Sequence, residues 1–222
     1  MVGDSAIDFE CISDSIKGTK SAENQDGVAI VKTSDYGLFF IFDGVGSARN
    51  SKFAVDASIN FVNQNHQKFA EADTYLVEDL LLELNDHILS FEELESLTTF
   101  CLVYLDYKLN RCKVCSLGDS RIYAFSNQYI SQITKDDNLP GSHMITKCLG
   151  MKSIKASDFK LQQLDIIGSF LLCTDGFYRL MEANKMRFFR ILNYKNLGRT
   201  VNQLRKEVAN NNSDDCTYII IK

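Results

Sequence analysis

Proline is almost missing from this chain: Pro140 is the only one in 222 residues. No Gly/Ser-rich run takes the place of a linker, so nothing marks a domain boundary, and one domain over residues 1–222 is expected. Long apolar runs are also absent, and the opening MVGDSAIDFE already carries acids. Neither a membrane span nor a secretory leader is therefore expected. Basic charge is in deficit. Lys and Arg number 24 against 29 Asp and Glu, for a net charge of −5 and a pI near 5.3. That balance argues against nucleic acid or an anionic membrane as a partner. Histidine is confined to His66, His87 and His143, and there is neither a G-x-S-x-G turn nor a P-loop. A Ser-His-Asp mechanism has little support. The seven cysteines are odd in number and scattered, the pattern of reduced thiols in a cytoplasm. Only Cys112 and Cys115 have metal-like C-x-x-C spacing. They lie in a strand-like run, where residues three apart face opposite sides, so they are read as packing groups.

What the chain does have is apolar content of 45%. At this length roughly 70–75% of the unfolded surface can be buried without any covalent staple. Runs rich in β-branched and aromatic residues predict strands at Ile7–Ile12, Val28–Lys32, Leu38–Phe42, Thr98–Leu105, Arg111–Leu117, Arg121–Phe125, Phe159–Leu164, Phe170–Thr174 and Thr217–Ile221. Turn chemistry at Asp35-Tyr36-Gly37, Leu109-Asn110 and Asn127-Gln128 joins several of these as antiparallel neighbours. Between the third and fourth lie two helical stripes, one of Phe53, Ala54, Ala57, Phe61 and Val62, the other of Leu76, Leu80, Leu81, Leu84 and Ile88. Further helices are predicted at Lys185–Ile191 and Leu197–Asn210. Strand-rich ends enclosing a helix pair do not fit βαβ alternation. The expectation is α+β: two antiparallel sheets packed face to face and flanked by helices, a four-layer αββα sandwich.

Three apolar runs place an aspartate at one end: FFIFDGVG (Phe39–Gly46), FLLCTDGF (Phe170–Phe177) and, with the acids leading, SDDCTYIII (Ser213–Ile221). A fourth, NQDG (Asn24–Gly27), opens a strand. Any one Asp-Gly is an ordinary turn. Four acids at the edges of buried strands are a different matter, because a sandwich can bring those edges together. Carboxylates a few ångströms apart cannot all stay ionised unless cations lie between them. Hard divalent ions with oxygen ligands, Mg²⁺ or Mn²⁺, follow from that chemistry. Gly44 would let its carbonyl approach such an ion closely.

These motifs, in order, resemble the protein phosphatase 2C family over nearly the whole chain. NQDG and FDGVGS are similar to its first acidic motif and its central D-G element, and SLTTF (Ser96–Phe100) to its G-T-T strand. SLGDSRIYAF (Ser116–Phe125) resembles its G-D-S-R motif and ITKCLG (Ile145–Gly150) the segment before its second metal motif. LLCTDGFYRLM (Leu171–Met181) and DDCTYIII (Asp214–Ile221) resemble its last two. The resemblance implies a metal-dependent serine/threonine protein phosphatase acting on phosphoproteins in a cytoplasm, opposite a serine/threonine kinase. It implies two Mn²⁺ or Mg²⁺ ions: Asp43 bridging them with the Gly44 carbonyl on one, Asp175 and Asp214 completing the other, and Asp26 acting through bound water. Asp119 would match an aspartate holding a third, weaker ion, or it would simply shape the turn between two strands. Asp43 and Asp175 would then carry catalysis, through a metal-activated water and no protein nucleophile.

The chain departs from the family in five places. Where the family has a phosphate-binding Arg, this sequence has Ser21, with Lys20 beside it as a substitute or as a solvated charge. Gln25 replaces a common Glu, Val45 a His that some members carry, and Ser47 the second Gly. After TKDDN (Thr134–Asn138) the usual flap of roughly two dozen residues is nearly absent, so specificity does not transfer. Two alternatives stay open: a catalytically weak phosphatase-like domain acting as a protein-binding regulator, and a hydrolase of small phosphorylated metabolites.

Overall fold

The computed structural model describes residues 9–71, 74–91, 95–142, 144–166, 168–209 and 211–222. In chain order its elements begin with strands β1 (Cys11–Ile16), β2 (Asp26–Lys32) and β3 (Tyr36–Gly44), then helices α1 (Ser51–Glu71) and α2 (Thr74–Leu89). Strands β4 (Thr98–Asp106), β5 (Arg111–Leu117), β6 (Arg121–Phe125), β7 (Ile130–Gln132), β8 (Gln162–Asp165) and β9 (Ser169–Cys173) follow. Helices α3 (Asp175–Ala183), α4 (Lys185–Leu192) and α5 (Leu197–Ala209) precede the last strand, β10 (Cys216–Ile221). One five-stranded sheet has the order β1-β10-β9-β6-β7 and the other β2-β3-β4-β5-β8. Their pairings are antiparallel.

The central strands read as unbroken apolar runs because both of their faces are buried. In β3, Phe39 and Ile41 join Val103, Leu172 and Ile219 between the sheets, while Leu38, Phe40 and Phe42 point outward beneath α1 and α2. On the other outer face, Leu171, Tyr218 and Ile220 pack against Phe177, Phe188 and Leu204 of α3, α4 and α5. The expected four-layer αββα sandwich is present. Aromatic pairs set its outer layers: Phe40 meets the edge of Phe69 at 5.6 Å, and Phe177 that of Phe188 at 5.6 Å. Each such pair adds about 0.5–1.5 kcal/mol beyond area burial.

The differences from expectation have local causes. The first strand starts at Cys11 and runs on to Ile16; residues 7 and 8 of the predicted Ile7–Ile12 lie outside the described residues. The predicted Phe159–Leu164 strand begins only at Gln162. A 3-10 turn at Ala156–Asp158 precedes it, and Phe159 drops into the core under α2. Leu76, placed in the buried stripe of α2, is 53% exposed, and Val77 takes the inward position. Strand β7 and helix α3 were not expected. Asp-Gly at 175–176 reads as a turn, yet Asp175 opens a helix, where a carboxylate is favoured by the helix dipole. Cys112 faces the inter-sheet core and Cys115 the helix side, so the C-x-x-C sulfurs are on opposite faces, as their spacing requires.

Candidate metal centre

Backbone register builds the first half of the site. The β2–β3 pairing sets Asp26 directly opposite Asp43, at the end where β2 begins and β3 stops. Asp43 is in turn opposite Thr99 of β4, and Thr98 Oγ1 donates to the Asp43 carbonyl at 2.9 Å. The turn from β5 to β6 brings in Asp119, which is buried. Gly118 makes that turn possible with φ of +102°, packed against the Thr99 side chain. Ser120 and Thr99 share a hydroxyl hydrogen bond of 2.8 Å just below.

The other sheet supplies the second half. Thr174 follows β9 directly, and its Oγ1 donates to Asp26 Oδ2 at 2.9 Å while accepting the Thr217 N–H at 3.0 Å. One hydroxyl thereby ties β9 and β10 to a carboxylate of the opposite sheet. Asp175 follows as the first residue of α3. Asp214 and Asp215 lead into β10, and two glycines hold them in place. A side chain on Gly18 would collide with the Asp214 backbone, and one on Gly176 with the Asp215 carbonyl. The buried Asp215 carboxylate accepts the Gly18 N–H at 2.7 Å and the Gln25 N–H at 2.8 Å, pinning the β1–β2 loop to the start of β10.

The result is one pocket of about 470 Å³ lined by Asp26, Asp43, Gly44, Asp119, Asp175 and Asp214, with Asp215, Gln25, Val45, Ser47 and Arg179 among the remaining lining residues. Its electrostatics follow from crowding. Burial, then the charges of Asp26, Asp175, Asp119 and Asp214, hold the Asp43 carboxyl well above the usual carboxylate range. Asp43 is half-buried and lines the pocket. Asp26 is pushed up to about 7, first by burial, with the Thr217 and Thr174 hydrogen bonds pulling it back. Asp119 rises to about 6 through burial and then the charges of Asp175 and Asp136.

The family model for protein phosphatase 2C matches residues 18–211 of this chain. The chain belongs to the protein phosphatase 2C family. By family it is a serine/threonine protein phosphatase, a phosphoric monoester hydrolase. No curated protein sequence matches it. The fold is shared with solved bacterial phosphatases at low identity. The serine/threonine phosphatase PstP/Ppp of Mycobacterium tuberculosis is 18% identical with a TM-score of 0.78, over 96% of this chain and 98% of that one. Stp1 of Staphylococcus aureus is 18% identical with a TM-score of 0.80, over 96% and 94%. A catalytic domain of PstP in complex with two manganese ions is 19% identical with a TM-score of 0.77, over 96% and 97%.

The pocket's donor set suits such ions in part. Its donors are oxygens, the choice of Mg²⁺ and Mn²⁺, and cations would offset the burial and the like charges that lift Asp26, Asp43 and Asp119. Against this, no three His, Cys, Asp or Glu side chains among the described residues are already gathered around one point. Asp175 instead pairs with Arg179 at 2.7 Å, one helical turn on. The backbone-fixed opposition of Asp26 and Asp43 weighs more than this side-chain arrangement. Asp175 lines the pocket all the same, and the Arg179 side chain that pairs with it is 44% exposed.

The places where this member departs from its family are also visible. Ser21 lines the pocket, but Lys20 is exposed and does not; its backbone N–H donates to Ser213 O at 3.2 Å. Lys17 is turned to the Ser21 and Ala22 carbonyls at 3.2 and 3.4 Å. Where the flap is missing, residues 138–145 close on themselves through an Asn138–Ile145 bridge. Gly141 turns that short loop at φ of +73°, and Ile145 reaches the pocket wall. His143 lies outside the described residues. Arg179, Asp215 and Thr174 had no place in the sequence reading. Arg179 would have been found had α3 been recognised, because it stands four residues after Asp175.

Proposed function

We propose that the chain hydrolyses phosphoserine and phosphothreonine in proteins at a dinuclear Mn²⁺ or Mg²⁺ centre. When bound, such a pair of cations makes a coordinated water nucleophilic near neutral pH and neutralises phosphate oxygens. Asp43, the Gly44 carbonyl, Asp175 and Asp214 would hold the ions. Asp26, hydrogen-bonded to Thr174, orients water rather than binding directly. Asp119 is the candidate for a weaker third ion. No protein nucleophile takes part, so attack is direct and the phosphate does not pass through the enzyme covalently. The chain works as one catalytic domain in a cytoplasm, opposite a serine/threonine kinase, without nucleic-acid or membrane partners. Among the described residues no helix is long and apolar enough to cross a membrane.

The observation that carries this reading is the register pairing of Asp26 with Asp43 in a pocket shared with Asp119, Asp175 and Asp214. Mn²⁺-dependent release of phosphate from a phosphothreonine peptide, lost in Asp43→Asn, tests it. The Asp175–Arg179 ion pair favours a second reading, a catalytically weak domain that acts by binding a partner protein. Absence of Mn²⁺-stimulated turnover, with partner binding unchanged in Asp43→Asn, would establish that one instead.

A further inference from the structure

A phosphomonoester entering this pocket meets a hostile wall. Seven of the sixteen lining residues are Asp or Glu, and a single one, Arg179, is a cation. Divalent ions held by the aspartates would offset part of that charge. The other basic side chains nearby are committed elsewhere. Arg121 makes a bidentate contact with Asp136 at 2.7–3.1 Å, bonds Glu182 at 2.8 Å, and stacks 3.6 Å above the Tyr178 ring. Lys17 holds backbone carbonyls, and Lys20 is off the wall.

Arg179 is differently placed. It stands on α3 one turn beyond Asp175, and its side chain is 44% exposed. It lines both the acidic pocket and the adjoining groove formed by Asn138, Leu139, Pro140, Tyr178 and Glu182. Its guanidinium therefore marks the boundary between the two. A planar fork with five N–H donors can grip two phosphate oxygens at once, which an ammonium cannot. Its partner here, the Asp175 carboxylate, is one that the phosphatase reading assigns to the cations. Arg179 holds Asp175 Oδ2, and cations would compete with it for that carboxylate.

We propose that Arg179 is the substrate-phosphate clamp of this enzyme, taking from the α3 side the role for which the β1–β2 loop, with Ser21 and no Arg, offers no group. With cations bound by Asp175, Arg179 would be released from its ion pair to the phosphate oxygens. The assignment rests on the phosphatase reading of this pocket. It also gives the Asp175–Arg179 pair a purpose: the arginine would offset the charge of Asp175 in this acidic pocket until cations replace it.

The test uses the Mn²⁺-loaded full chain and inorganic phosphate, whose Kd is measured by titration calorimetry, alongside KM for a phosphothreonine peptide. In Arg179→Ala both constants should rise at least tenfold, and Arg179→Lys should recover only part of the loss. Mn²⁺ affinity measured without phosphate should be kept or improved in Arg179→Ala, since Asp175 loses its competitor. Arg179→Gln, which keeps the stem, decides the matter if the alanine variant unfolds. An unchanged phosphate Kd in a folded variant overturns the assignment, and so does a fall in Mn²⁺ affinity, which would make Arg179 a builder of the centre. Wild type that binds phosphate through Arg179 yet turns over no phosphopeptide supports the clamp while sinking the phosphatase reading.

Discussion

Strip the protein of divalent ions and raise the pH, and it should lose stability in a range where most proteins gain it. Asp26 has a carboxyl raised from 3.8 to about 7 in the fold, mainly by burial. The sign follows from proton counting. Below 3.8 both folded and unfolded chains hold the proton and nothing is lost. Above it the unfolded chain ionises while the folded one keeps its proton, so unfolding is favoured increasingly until about pH 7, and the loss then levels off. For this carboxyl alone the full loss is on the order of 4 kcal/mol, of which about 3 kcal/mol falls between pH 5 and 7.5. Asp43 is displaced in the same direction, by burial first and then by the charge of Asp26, so the observed midpoints belong to both. Urea unfolding of EDTA-treated protein across this range measures the slope. Asp26→Asn keeps an acceptor for Thr174 and has no proton to lose, so it should flatten the profile and be the more stable protein at pH 7.5. Excess Mn²⁺ should restore the wild type by mass action. A metal-free profile that is the same for wild type and Asp26→Asn would show that Asp26 is not held protonated, and the crowding argument for the pocket would fail with it.

Asp175→Ala should abolish measurable phosphatase activity while leaving the fold intact by circular dichroism; a near-normal rate would remove this residue from the centre. Lys20→Ala should leave KM for a phosphothreonine peptide within about twofold, since the side chain is off the pocket wall. A tenfold rise would return the phosphate to Lys20. Gly176→Ala forces a methyl group into the Asp215 carbonyl, and overpacking of this kind costs about 1–3 kcal/mol. Urea midpoints should fall accordingly, and Mn²⁺ affinity should fall further, because the displaced segment carries Asp214.

The layers of the fold were legible because burial on both faces leaves an unmistakable trace. Phe39-Phe40-Ile41-Phe42 has no polar alternation to confuse it, and strands β5 and β6 were predicted at their observed limits, Arg111–Leu117 and Arg121–Phe125. Elements with a weak pattern were lost. Strand β7 has three residues, none of them buried, and pairs at the sheet edge beside β6. Phe159 has strand propensity and yet is a core residue at the end of a 3-10 turn, a tertiary choice that overrides local preference.

In the pocket, a rule about which residues were readable emerges from where each gets its partner. Asp26, Asp43, Asp119, Asp175 and Asp214 stand beside glycines or at the ends of apolar runs, and local pattern is enough to single them out. Asp215 carries the same side chain as its neighbour, but its work is to bond the Gly18 and Gln25 N–H groups nearly two hundred residues away. Nothing in its own neighbourhood states that. Thr174 is similar, since a residue that caps α3 in position makes no side-chain capping bond and turns its hydroxyl to the opposite sheet. Arg179 is the instructive case. Taking Asp175-Gly176 as a turn ends the regular structure there and leaves the arginine as one more surface charge. Starting a helix at Asp175 instead places residue 179 one turn above residue 175, on the same face. The single difference between a turn and a helix at Asp175 thus decides whether the pocket has a cation at its mouth.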